Sequence, residues 1–186
     1  MMCSSERRIR MIHVRGVTKS YKKKGEVLKD INLTIPDGEI VALLGHNGSG
    51  KSTLLKCITG VIKPTLGTID FDGVDSFKHQ RTLVPQIGVV FNQKPSFIVD
   101  LTVMDNLHYF KAIYDVSDQD FEDRLAMVDK HLSIRSLYQK QYRKLSFGER
   151  VKCEIASVLL HQPKYLFLDE PTIGLDYSAK KGCTIY

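Results

Sequence analysis

The run Gly45-His46-Asn47-Gly48-Ser49-Gly50-Lys51-Ser52-Thr53 constrains this chain more than any other stretch. It fits G-x-x-x-x-G-K-[ST], a pattern that is specific only between a strand and a helix. Both flanks predict that setting. Glu39-Ile40-Val41-Ala42-Leu43-Leu44 reads as a short apolar strand, and Leu54-Leu55-Lys56-Cys57-Ile58 as the start of a helix. Glycines let successive backbone N–H groups close around an anion with no Cβ in the way. The helix that follows points the positive end of its dipole at the same anion. Lys51 is expected to neutralise β- and γ-phosphate oxygens, and Ser52 to offer its hydroxyl to Mg²⁺. A Gly-rich turn that binds nothing is the bland alternative, and the agreement of motif and flanks argues against it.

A second constellation lies near the end, in Lys164-Tyr165-Leu166-Phe167-Leu168-Asp169-Glu170-Pro171-Thr172. Its four apolar residues predict a buried parallel strand. The strand ends in adjacent carboxylates, at the edge of the sheet where open α/β folds bind ligands. Asp169 suits Mg²⁺, directly or through water, and Glu170 is expected to polarise an attacking water. Between the two constellations, Leu145-Ser146-Phe147-Gly148-Glu149-Arg150 has the S-x-x-E spacing of a capping box. The apolar residues after it fall on one helical face as far as Leu160.

The set of a Gly-Lys-Ser loop, Gln93 in a loop, Leu145-Ser146-Phe147-Gly148-Glu149, the acidic strand and then Gly174-Leu175-Asp176 resembles the ATP-binding cassette (ABC) ATPases. The resemblance runs from about Ile9 to Lys181. The phrases around Ser146 and from Leu168 to Asp176 look most like exporter-type cassettes that serve ABC-2 permeases. The resemblance implies an α/β P-loop NTPase with a RecA-like core, an N-terminal antiparallel β subdomain and an inserted α-helical subdomain. Residues 1–186 then form one ATP-binding domain. Within it, 9–102 are the β subdomain and loop core, 103–144 the helical subdomain, and 145–181 the signature helix, acidic strand and Asp loop. Residues 182–186 are an atypical end.

The resemblance also implies roles. ATP and Mg²⁺ are the cofactors. Residues Gly45 to Thr53 hold the phosphates, Tyr21 stacks on adenine, and Ser52, Gln93 and Asp169 serve the metal. Ser146 and Gly148 meet the γ-phosphate held by a second ATP-binding subunit. Phe147 stands where the family has a Gly, and Glu149 where it has a Gln. A carboxylate beside a triphosphate repels it unless a cation intervenes. The expected function is an ATP-hydrolysing subunit that drives export through a separate transmembrane permease. A soluble ABC ATPase acting on ribosomes or DNA, or a non-hydrolysing regulatory nucleotide-binding module, is the alternative.

Bulk properties fit. A length of 186 residues gives one domain with a sizeable core. Cys3, Cys57, Cys153 and Cys183 form no C-x-x-C pair, and Cys57 and Cys153 fall in helical patterns as packed thiols. No apolar run has the length of a membrane span, and the first eight residues lack a signal-peptide core. The expectation is a cytoplasmic protein, peripheral on the inner face of the membrane. The net charge of +6 includes Lys22-Lys23-Lys24, read as a solvated hairpin turning at Gly25. No basic-aromatic platform suggests nucleic acid.

Strands are expected over 9–17, 27–35, 67–71 and 87–91. The pattern Val103-Met104-x-x-Leu107-x-x-Phe110 predicts a helix, and Asp118 begins another through Phe121, Leu125 and Val128. Ten residues follow Asp176. The family continues through a helix and a strand carrying a His at the γ-phosphate, and no residue here is assigned to it; His161 precedes the acidic strand. The chain is therefore expected to be a truncated or frame-shifted product.

Overall fold

The computed structural model describes residues 11–22, 25–91 and 95–169. The chain divides into two compact units, Met1–Val84 and Pro85–Tyr186. Gln93, Glu170 and Gly174-Leu175-Asp176 lie outside the described residues.

The first unit is built on an antiparallel sheet. Strands β1 (Met11–Tyr21), β2 (Gly25–Pro36), β3 (Leu66–Phe71) and β4 (Val74–Asp75) lie in the order β2-β1-β3-β4. The expected opening hairpin is present, with Tyr21 opposite Gly25. Along β1 the buried side chains begin as Ile12 and Val14, then shift to Val17 and Thr18. Strict alternation would have kept one parity. The change occurs at Gly16, whose φ is +59°, and the register with both neighbouring strands shifts there. An extra residue at a bulge moves every later side chain to the other face. Helix α1 (Lys51–Ile58) packs by Leu54, Leu55, Cys57 and Ile58, all buried.

The run 39–44 departs from expectation. It forms no strand and belongs to no sheet among the described residues. Ile40 is 84% exposed and Leu44 92%. An apolar run becomes a strand only when a neighbour takes its N–H and C=O groups, and no described strand does so here.

The second unit is mostly helical. A short helix α2 (Gln80–Leu83) closes the first unit, and β5 (Ile87–Phe91) opens the second. Helices α3 (Val103–Ile113), α4 (Asp118–Leu132) and α5 (Phe147–Leu159) follow, and β6 (Tyr165–Asp169) pairs with β5 in parallel. Thr102 and Asp105 form a capping box on α3, and the Ser117 hydroxyl accepts the Asp120 N–H on α4. Phe121, Leu125 and Val128 line the buried face of α4, as their spacing predicts. They share one core with Leu107 of α3 and Ile155 of α5. Burial in α5 pushes the Cys153 thiol up to about 12, so it packs as an uncharged side chain. Tyr165 to Leu168 are half-buried rather than buried, and only Asp169, at 6% exposure, is enclosed. Among the described strands, β6 pairs with β5 alone.

Candidate functional site

The loop expected to bind phosphate lies in the first unit. Gly48 and Gly50 adopt φ of +83° and +93°, the left-handed region that glycine enters without strain. Gly50 is the N-cap of α1, and no side chain caps that helix. A Cβ on Gly50 would come within 2.8 Å of Leu28 Cδ2 and 3.0 Å of the Val27 carbonyl oxygen. The start of α1 is thereby pressed against β2, whose Leu28 side chain and Val27 backbone leave no room for a Cβ at Gly50. The Ser49 N–H donates to the His46 carbonyl at 3.2 Å, which closes the turn. Lys51 folds back over it: Nζ donates to the carbonyl oxygens of Gly45 at 2.7 Å and His46 at 3.0 Å. The ammonium thus sits on the rim of the loop from which it would meet an anion.

Tyr21 ends β1 in the same unit, half-buried, with Lys19 Nζ 5.2 Å from its ring centroid. Its partner Gly25 lies two residues before Val27, which touches the start of α1. One end of the hairpin therefore carries both the aromatic ring and the strand against the phosphate loop.

The second unit holds the other described site residues. The register of β5 and β6 sets Phe91 opposite Asp169. Ser146 is the N-cap of α5, and its capping box is formed on both sides. The Glu149 N–H donates to Ser146 Oγ at 3.3 Å, and the Ser146 N–H donates to Glu149 Oε2 at 2.8 Å. The Ser146 hydroxyl also donates to the Glu149 carboxylate. Gly148 stands in the first helical turn, whose N–H groups have no carbonyl of the helix to bond.

Sequence reasoning passed over three residues that shape this helix start. Arg150 donates from Nη2 to the Arg143 carbonyl at 2.8 Å and from Nε to the Leu145 carbonyl at 3.1 Å. It holds the approach to Ser146 against α5. Lys140 Nζ lies 3.2 Å from Glu149 Oε1. The Ser146 N–H first, and Lys140 with it, hold the Glu149 carboxyl below the usual carboxylate range. Glu154, one further turn along, is buried and accepts from the Tyr142 hydroxyl. Glu149 is nine residues from Lys140, and no helical or strand period joins them.

His161 has a structural place. Its ring stacks on Tyr114 with centroids 3.8 Å apart and planes 6° from parallel, and Nε2 donates to the Ile87 carbonyl at 3.3 Å. Burial pushes its pKa down, which keeps the imidazole neutral.

The cradle fits a phosphate group: a glycine-lined loop at an uncapped helix start with an ammonium on its rim. Ser52 in the first unit and Asp169 in the second each carry an oxygen of the hard kind that Mg²⁺ takes.

The chain is similar to known ATP-binding proteins. The family model described as ABC transporter matches residues 28–173. The chain is 33% identical over 172 residues to the ABC transporter ATP-binding protein NatA of Bacillus subtilis (strain 168), covering 91% of this chain and 70% of that protein. The solved structure of cbiO1 from Clostridium perfringens, part of the ABC transporter complex cbiONQ, matches with a TM-score of 0.78 at 32% identity. It covers 93% of this chain and 70% of that one. A bacterial ABC transporter cassette solved as a dimer matches with a TM-score of 0.81 at 29% identity, over 92% of this chain and 78% of that one. The expected P-loop α/β fold with its N-terminal antiparallel sheet is shared with these structures.

Proposed function

Since the chain belongs to the ABC transporter family, we propose that it binds MgATP on the loop from Gly45 to Thr53 and powers a separate transmembrane permease from the inner face of the membrane. ABC ATPases bind and hydrolyse ATP, and this chain is one of them. Lys51 leaves its carbonyl partners to engage the β- and γ-phosphates, and Tyr21 stacks on the base. Ser52, Gln93 and Asp169 hold Mg²⁺, which when bound offsets negative charge on the phosphates. Glu170 orients and polarises the attacking water. Ser146 and Gly148 donate to the γ-phosphate of a nucleotide held by a second ATP-binding subunit. The exporter-like wording around Ser146 and Glu170 supports export as the direction.

The observation that carries this reading is the Gly50–Lys51 junction, where a left-handed glycine opens an uncapped helix and the ammonium turns back over the loop. The test is Glu170→Gln, which removes the base while keeping the shape. MgATP is expected to bind and to accumulate a dimer of this variant, read by sedimentation. A chain that binds MgATP and stays monomeric at saturation would rule out a composite site between two copies.

A further inference from the structure

Glu149 brings a formal charge to a helix start that the proposed function sets against a triphosphate. Its carboxylate is committed on both oxygens, Oε2 to the Ser146 N–H and Oε1 to Lys140. The two partners differ in what they do. The Ser146 bond completes the cap, and a Gln at the same place would complete it equally. Only Lys140 cancels the charge.

We infer that Lys140 is a positioning residue for the composite nucleotide site: it neutralises Glu149 so that Ser146 and Gly148 can approach a γ-phosphate. The inference rests on the proposed function. Several bonds hold Lys140 in place. The Val103 N–H donates to its carbonyl at 3.0 Å, and its own N–H donates to the Leu137 carbonyl at 2.8 Å. The next residue, Gln141, bridges to Thr102. Glu149 in turn is fixed by its cap. Both ends of the pair therefore start from anchored backbone, which lowers the entropy cost of holding two long side chains together.

Lys140 and Glu149 side chains are 48% and 30% exposed. A pair so wet adds little to stability. Its effect falls instead on an approaching polyanion, which meets a cancelled charge rather than a bare carboxylate. This gives a readout that a merely structural role would not move.

The experiment uses the full chain carrying Glu170→Gln and measures MgATP-dependent association by sedimentation. Adding Lys140→Met is expected to weaken association about tenfold, the scale of one partly screened unit charge a few ångströms away. The melting temperature is expected to stay near that of the parent. Adding Glu149→Gln to Lys140→Met is expected to restore association to within about twofold, and raising the salt to shrink the defect of Lys140→Met alone. Undiminished association in Lys140→Met overturns the inference while leaving the proposed function standing. So does a defect that persists after Glu149→Gln. A parent that binds MgATP without associating overturns the composite site, and this inference with it.

Discussion

The Tyr142 hydroxyl donates to Oε1 of Glu154 inside the helical unit, where the two residues are 2% and 7% exposed. The Phe97 ring lies 5.0 Å from the Tyr142 ring, and the Arg150 guanidinium 5.3 Å from it. A backbone N–H from Ser96 also reaches Glu154. One buried acid thus joins the chain before Ser146, the segment after β5 and the middle of α5.

Removing one partner of a buried hydrogen bond costs more than the bond is worth, because the other is left unsatisfied. Tyr142→Phe is expected to lower unfolding stability by about 1–3 kcal/mol. Glu154→Leu removes the acceptor from both Tyr142 and Ser96 and is expected to cost more than Glu154→Gln, which keeps an oxygen. Urea unfolding monitored by circular dichroism ranks the three variants.

Burial pushes the Glu154 carboxyl above its ordinary value of 4.5, and this is larger than the opposing hydrogen bonds from Tyr142 and Ser96. An acid raised in the folded state binds its proton more tightly there than when unfolded. Its contribution to stability is complete below pH 4.5 and is lost as the pH rises through the raised folded value. Glu154→Gln lacks this dependence. Its stability relative to the parent is expected to improve as pH rises across that window, measured by paired denaturation curves. A flat difference between the two would remove burial as the controlling effect.

Two left-handed glycines test the sheet of the first unit. At Gly67, with φ of +83°, a Cβ would lie 2.4 Å from the Gly16 carbonyl oxygen and 2.5 Å from that of Arg15. At Gly73, with φ of +84°, nothing lies within 4 Å. Gly67→Ala is expected to cost roughly 2–4 kcal/mol, combining backbone strain with a clash against β1. Gly73→Ala carries the strain alone, about 1 kcal/mol. Thermal unfolding separates them, and equal losses would mean that β1 and β3 can part at Gly16 without penalty.

Lys51→Ala removes the cation that bridges the phosphate loop. MgATP affinity is expected to fall roughly 10–100-fold, the scale of lost hydrogen bonds to a charged group, with ADP weakened less. Calorimetry measures both. Unchanged affinity would place the nucleotide elsewhere on the chain.

The parts of the fold that were legible in the sequence are those set by short-range rules. Ser146 and Glu149 announce their cap because the two bonds join residues three apart. Phe121, Leu125 and Val128 announce the buried face of α4 because helical spacing places them on one side. The glycines of the phosphate loop are legible because the left-handed backbone at Gly48 and Gly50 excludes most other residues.

Sequence by itself therefore determined the helix caps, the buried face of α4, the glycine conformations of the Gly45–Thr53 loop and the family. Tertiary structure alone decided which groups compensate one another. Residues 39–44 are apolar enough for a strand, yet a strand exists only where another segment completes its hydrogen bonds, and none of the described strands does. Tyr165 to Leu168 read as buried, yet burial depends on what covers both faces, and they are half-exposed. Lys140 cancels Glu149, and Tyr142 satisfies Glu154, across nine and twelve residues of chain. Electrostatic and hydrogen-bond partners are chosen by distance in space, and separation along the chain does not fix that distance until the helices have packed.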